Sequence, residues 1–305
     1  MLDMIRRLSR RGFFCALLFL GSSLAGAQEY PAKPVRFISP YPPGGVVDIA
    51  ARVIAAKLSE LWKQQVVVEN RTGGGGIVGT DYAAKSAPDG YTFLFATVSE
   101  FCITPFTYAK LPYDVQRDLA PVTLATETPL MWAAHSAAPF ATLQEMIAYS
   151  KSLPAGLSYS TPGLGTLNHL AAERFSLEFG AHLVHVPYKG GGPAGTAVAA
   201  GEVPLGMLAM SSAVPHIKSG RVKTIAVTDA SQWVAMAAPR GTARSIIEKA
   251  NADVRAVLKM PETRERLNAL GSEPSGSTPE ELGARIRMES EQFAKIVERI
   301  KLKLD

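Results

Sequence analysis

Apolar positions along the chain follow two rhythms, and each change of rhythm marks a change of element. The short runs Val35-Arg36-Phe37-Ile38, Val66-Val67-Val68 and Tyr91 to Ala96 predict buried strands. Between the first two, Val47, Ala51, Ile54, Leu58 and Leu61 recur at spacings of three and four, while Arg52, Lys57 and Glu60 fall elsewhere. That spacing predicts an amphipathic helix with the apolar stripe inward. A second helical stretch begins near Ile77, and Pro88-Asp89-Gly90 turns the chain into the third strand. The same grammar returns further on. Leu157 to Ser160 predicts a strand, and Leu167, Leu170, Ala171, Phe175 and Phe179 form one helical stripe closed by Gly180. Val184 to Tyr188 predicts another strand, followed by a helix with Pro193 in its first turn and Gly201 at its end. Thr224 to Val227 adds a strand, and Thr278-Pro279-Glu280-Glu281 is a capping box that opens a C-terminal helix. Strand and helix alternate, so the expected class is α/β with a largely parallel sheet.

The first 27 residues stand apart from this pattern. Arg6, Arg7, Arg10 and Arg11 precede an apolar core from Phe13 to Leu20, and Ala25-Gly26-Ala27 is a small-residue cleavage site. This is the layout of a secretory signal. Its core falls short of the roughly 20 apolar residues needed to span a bilayer. Ser9-Arg10-Arg11-Gly12-Phe13-Phe14 also matches a twin-arginine export sequence, although paired arginines occur in ordinary signals too. Export would remove most of the basic character. Of the net charge of +5, Asp3 and the four arginines account for +3, so the balance gives no argument for nucleic acid. Of the two cysteines, Cys15 lies in this segment, which leaves Cys102 with no partner for an intrachain disulfide. The remainder is long enough for two domains with cores of their own.

Candidate chemistry lies in the turns. Gly44-Gly45, Gly73 to Gly76, Gly163 with Gly165, and Gly190 to Gly192 each separate a predicted strand from a predicted helix. In a parallel sheet such turns gather at the carboxyl ends of the strands, where ligands bind. Each helix start adds unpaired N–H groups and a partial positive charge. Four glycine-rich turns facing one crevice would form an anion site built from backbone. Asp48 reads as an N-cap of the first helix. His169 falls in a first helical turn, where the dipole favours the neutral ring, and a buried structural histidine fits the position equally well.

The same turns carry a resemblance. Ser39-Pro40-Tyr41-Pro42-Pro43-Gly44-Gly45, Glu69 to Gly79, Ser160-Thr161-Pro162-Gly163-Leu164-Gly165-Thr166 with His169-Leu170, and His185-Val186-Pro187-Tyr188-Lys189-Gly190 occur in an order and spacing similar to the Bug-type, TctC-like solute receptors of tripartite tricarboxylate transporters. The resemblance implies a periplasmic binding protein of type II, with two α/β domains joined by crossover strands around a cleft. It divides the chain into residues 28–127 plus 233–305 and residues 128–232. It also implies a non-enzymatic receptor without cofactor or metal, which binds a di- or tricarboxylate, an amino acid or an aromatic acid. Its partners would be the permease subunits of the transporter, or a sensor kinase if the receptor signals instead. By position, the first domain would offer Tyr41, Gly44, Gly45, Gly75, Gly76, Thr97 and Ser99. The second would offer Ser160, Thr161, Gly165, Thr166, His169 and Lys189.

Three departures qualify the resemblance. Leu208 stands where the family often has Asp, and Phe101 where it often has His, so one wall of the pocket is expected to be more apolar. Between Thr228 and Trp233 only Asp229 to Gln232 remain of a segment of some two dozen residues that includes a helix. Such a short return crossover predicts a stiff second hinge and an uncovered apolar patch at Val234, Met236 and the neighbouring alanines.

Other chemistries are poorly supported by the sequence. Gly74-x-Gly76-x-x-Gly79 has the spacing of a dinucleotide fingerprint, whose acidic residue would fall near Asp89 or Glu100, but Asp89 sits in a turn before a strand instead of at its end, so an exported oxidoreductase is the lesser alternative. His182 and His185 are three apart on a strand and face opposite sides, which does not suit one metal ion. The sequence has no Gly-x-Ser-x-Gly, His-Glu-x-x-His or Walker motif.

Overall fold

The computed structural model describes residues 30–300 and 302–304, so the expected leader lies outside the described residues. Nine strands form one sheet: β1 (Val35–Ser39), β2 (Val66–Asn70), β3 (Thr92–Thr97), β4 (Leu119–His135), β5 (Leu157–Thr161), β6 (Leu183–Pro187), β7 (Leu205–Ala209), β8 (Val222–Pro239) and β9 (Glu273–Pro274). Their spatial order is β2-β1-β3-β8-β4-β7-β5-β6, with β9 beside β4. The parallel pairing expected from the alternation holds at the two ends, where β2-β1-β3 and β7-β5-β6 run parallel. The middle does not follow it. There β8 runs antiparallel to β3 and β4, and β4 antiparallel to β7.

That middle is the link between the two halves of the sheet. β4 and β8 pair with each other from Leu119↔Pro239 to His135↔Val222, interrupted only by bulges. Each enters both halves, so every other main strand is attached through them. The central pair is fixed from one side by the C-terminal helix. Trp233 lies opposite Glu127 in register, and its indole N–H donates to Glu289 Oε2 at 2.8 Å. Arg285 donates to Glu127 Oε1 at 2.8 Å and to Glu289 Oε1 at 2.7 Å. Phe101 stacks on Trp233 with ring centroids 5.7 Å apart.

The helices longer than one turn are α1 (Val46–Trp62), α2 (Ile77–Ala84), α3 (Leu143–Ser152), α4 (Leu167–Phe179), α5 (Gly191–Ala200), α6 (Met210–Lys218), α7 (Arg244–Lys259), α8 (Pro261–Asn268) and α9 (Pro279–Ile300). The stripe of α1 buries Val47, Ala51, Ile54 and Leu58 as expected, but Leu61 is exposed and Trp62 is buried in its place. The indole offers more apolar area and finds a partner in Asp253 on α7. Asp48 is also corrected. The N-cap of α1 is Gly45, and Asp48 sits in the first turn, where its carboxylate accepts the Gly44 N–H and pairs with Arg52. Gly180 and Gly201 close α4 and α5 with left-handed backbone, and Thr278 forms the capping box with Glu281.

The apolar patch expected at Val234 and Met236 is not there. Both are fully buried, because they lie in β8 between β3 and β4. The bare surface lies in the other half of the sheet. Val227 on β8 and Leu177 and Phe179 on α4 are exposed, and Val227 and Phe179 border a groove of about 350 Å³ floored by Trp132, Phe175 and Met207. It begins where the chain is short, next to Thr228 and Asp229.

Arg285 serves two carboxylates at the centre of the sheet, so Arg285→Ala should destabilise by about 1–2 kcal/mol, beyond what an isolated surface pair contributes. Denaturant titration of the single variants and of Arg285→Ala with Glu127→Ala checks this. The double variant should lose less than the sum of the two, as expected for one network.

Candidate ligand site between the two halves of the sheet

The turns that end β1 and β6 meet face to face. A Cβ built on Gly45 would lie 3.6 Å from the Gly191 nitrogen, and one on Gly192 would lie 2.6 Å from the Pro43 oxygen. Beside this seam is a cavity of about 10 Å³, lined by Tyr41, Gly45, Val46, Val47, Thr97, Pro162, Gly191, Ala209, Ser212 and Gln232. That is about the space of one water, so the cleft is closed.

Three helices begin at this cavity, and none has a side-chain cap: α1 after Gly45, α5 after Gly190 and α6 after Ala209. Their first-turn N–H groups have no partner within the helix, and each start carries a partial positive charge. Two side chains in the wall are also unsatisfied. Ser212 and Gln232 are 4% and 3% exposed, and Ser212 Oγ and Gln232 Oε1 have no hydrogen-bond partner. The arrangement suits an anion with further polar atoms, held largely by backbone.

Behind the wall stands a buried acid. Glu100 has no exposed surface. Its carboxyl accepts from the Tyr41 hydroxyl and, at 2.7 and 2.9 Å, from the Thr97 N–H and Oγ1–H. The Tyr41 hydroxyl also contacts the Gly75 carbonyl at 3.1 Å. At Gly76, where φ is +104°, a Cβ would lie 2.6 Å from Glu100 Oε1, so only glycine fits. One carboxyl thus ties together the turns that follow β1, β2 and β3. Burial raises its pKa above the ordinary value, and the hydrogen bonds from Tyr41 and Thr97 oppose that shift.

Of the residues expected from the sequence, Tyr41, Gly45 and Thr97 line the cavity. The others form its surroundings. Gly44 gives its N–H to Asp48, and Gly75 meets the Leu164 carbonyl across the seam. Ser99 Oγ accepts the Leu167 N–H at 3.1 Å, which joins the two halves. Ser160 donates to the Ala194 carbonyl. Thr166 caps α4, and His169 Nδ1 accepts the Gly165 N–H. His169 stacks on His185 with centroids 4.0 Å apart, and Thr161 Oγ1 lies 2.6 Å from His185 Nε2. Lys189 is exposed. The apolar wall expected from Leu208 and Phe101 is not formed. Leu208 packs in a cluster with Met131 and Val198, and Phe101 packs on Trp233.

Sequence reasoning missed Glu100, Ser212 and Gln232 as site residues. Glu100 had a signal, being a lone acid before the apolar run Phe101-Cys102-Ile103. The start of α6 has no glycine, so a search for glycine-rich turns passed over Ser212.

The model for the tripartite tricarboxylate transporter family receptor matches residues 50–232. The chain belongs to this family. It is 33% identical to the protein BugT of Bordetella pertussis, over 99% of this chain and 100% of BugT. That alignment has 326 positions, so at least 21 of them have no residue in this chain of 305. Among solved structures, R. palustris Rpa4515 with adipate is 28% identical with a TM-score of 0.86, covering 90% of this chain and 99% of the other. MatC from Rhodopseudomonas palustris with bound malate is 26% identical with a TM-score of 0.82, covering 88% and 100%. The fold and family are those of periplasmic solute-binding proteins. No helix among the described residues is long and apolar enough to cross a membrane.

A raised carboxyl pKa in the native state means stability that is full below the ordinary glutamate value and lost as pH rises through the raised one. Glu100→Gln removes that titration and keeps acceptor and donor atoms for Thr97 and Tyr41. Its stability relative to the parent should therefore improve from pH 4.5 to pH 8. Glu100→Ala should cost about 2–4 kcal/mol, because it orphans a buried N–H and opens a void. Thermal melts at both pH values read both effects.

The histidine pair has the opposite sign. Burial, with the nearby His169 adding to it, lowers His185 from 6.5 to about 3, and burial lowers His169 as well. Stability from this pair is full above the ordinary imidazole value and is lost as pH falls towards 3. His185→Asn should flatten the fall in melting temperature between pH 6.5 and 4, measured by calorimetry across that range.

Proposed function

We propose that this chain is an extracytoplasmic receptor that captures a small carboxylate and delivers it to the membrane permease subunits of a tripartite tricarboxylate-type transporter. The observation that carries the reading is the meeting of three uncapped helix starts at one closed cavity, with no basic side chain among its lining residues. A carboxylate there replaces its hydration with fixed N–H dipoles. The adipate and malate in the related structures support the same ligand class. In this reading residues 1–27 direct export and are removed after Ala27. Residues 28–127 plus 233–305 form one lobe, residues 128–232 the other, and β4 and β8 are the hinge. The return crossover is short, so closure involves a small change of angle. The protein works by binding alone, with no catalytic step or cofactor.

Thermal shift of the mature protein against a panel of carboxylates tests the ligand class. A ligand at 100 times its Kd adds ~2.7 kcal/mol of stability. A silent carboxylate panel, with tight binding of an uncharged sugar or a cation, would remove the reading. Recognition by backbone has its own test. Gly45 has φ of −84°, which any residue adopts, so Gly45→Val adds bulk at the seam without backbone strain. Calorimetry should show about tenfold or greater loss of affinity for Gly45→Val, and less than about threefold for Lys189→Ala, whose charge is solvent-screened.

A further inference from the structure

Within the carboxylate reading, on which this inference rests, we propose that the site selects a 2-hydroxy carboxylate and that Gln232 is the residue that reads the hydroxyl. Most polar groups around the cavity are already committed. The hydroxyls of Tyr41 and Thr97 are both engaged with Glu100. The two that remain are Ser212 Oγ and Gln232 Oε1, both buried and without a partner. An unsatisfied buried acceptor is costly, so its presence in the wall points to a ligand atom that satisfies it.

The two groups suit different parts of a ligand. Ser212 lies in the first turn of α6, among free N–H groups, where its hydroxyl adds a donor for a carboxylate. Gln232 comes from β8, opposite Thr128 in β4, and its Oε1 requires a donor on the ligand. A carboxylate has no proton to give at neutral pH, so the donor is a second group. Ser212 and Gln232 line the same small cavity, so that group is a close neighbour of the carboxylate on the ligand skeleton.

Charge decides between the remaining candidates. An ammonium would sit against the positive ends of three helices, which disfavour a cation. A second carboxylate would set an acceptor against the Gln232 Oε1 acceptor, with Glu100 directly behind Tyr41 and Thr97. A hydroxyl is neutral, donates to Oε1 and also accepts from the amide Nε2–H, so it satisfies either end of Gln232.

Calorimetry with ligand pairs that differ by one hydroxyl tests the proposal: propionate with lactate, and 3-phenylpropionate with 3-phenyllactate. Sites built to hydrogen-bond a substrate hydroxyl reject the analogue that lacks it, so the hydroxy member should bind at least about tenfold tighter. Gln232→Leu should bring the ratio within about threefold and leave the deoxy member no weaker. Gln232→Met serves as the second variant if the first does not fold. Ser212→Ala should weaken both members alike. Equal binding of the two members by the parent protein, a ratio that survives both Gln232 variants, or alanine bound more tightly than lactate overturns the hydroxyl assignment while leaving the carboxylate reading intact. Failure of every carboxylate to bind overturns both.

Discussion

Everything in this molecule depends on one antiparallel ladder, the pairing of β4 with β8. Two strands of 17 and 18 residues cross from one half of the sheet to the other side by side, and no other main strand enters both halves. A crossover in a binding protein must hold two lobes in register while allowing a change of angle. Pairing the crossovers with each other meets the first demand, because shifting one strand relative to the other would break bonds along the whole ladder. The bulges within it are the places where its geometry is already irregular. The Trp233, Glu127, Arg285 and Glu289 cluster then fixes the ladder at its midpoint, equally far from both ends.

The site uses the ladder in a second way. Gln232 stands immediately before Trp233, so the strand that joins the two halves of the sheet also contributes a wall of the cavity. The rest of the wall is mostly backbone, and its polarity comes from helix starts left without caps. Capping side chains would add stability to isolated helices. Here their absence leaves donors that only an occupant of the cleft, or water, can satisfy. The buried Glu100 balances this on the lobe that holds β1 to β3. It draws Tyr41 and Thr97 inward, fixes three turns at once, and engages both of their hydroxyls. What the cavity wall leaves uncommitted is a small set of backbone N–H groups and two side-chain ends.

Much of this architecture was legible in the sequence, because periodicity and turn chemistry are local. The runs at Val35, Val66 and Leu157 became strands, and Gly180 and Gly201 ended helices where expected. The glycine-rich turns after β1 and β6 do meet at the seam. Less was legible where function depends on juxtaposition. Thr161, Thr166 and His169 lie in the expected strand-to-helix turn but are occupied by one another and by His185, which strand spacing alone could not reveal. Asp48 was misplaced by three positions, because an acid in a first helical turn bonds backward to an N–H just as a cap does. Glu100 is the clearest case. Its role arises only when three turns distant in sequence converge, and no spacing rule encodes that convergence.

The shortened segment before Trp233 shows how a local loss can be absorbed unevenly. Its expected consequence, an uncovered face at Val234 and Met236, assumed that the missing helix would have packed on the half of the sheet that follows it. The burial pattern places the effect before the gap instead. Val234 and Met236 have strands on both sides and cannot be exposed by losing an outer helix. Val227 pairs only with β4, at a sheet edge, and α4 beside it presents Phe175 and Phe179 to the same groove. The apolar stripe of α4 is therefore wider than its surviving partners can cover, which is why Phe179 fits the helical pattern and still lies exposed. A sequence that kept the stripe but lost its cover retains the periodicity of a core position without the burial. In this protein that mismatch lies beside a bulge, where β8 advances four residues from Val227 to Ser231 against two of β4 from Met131 to Pro129.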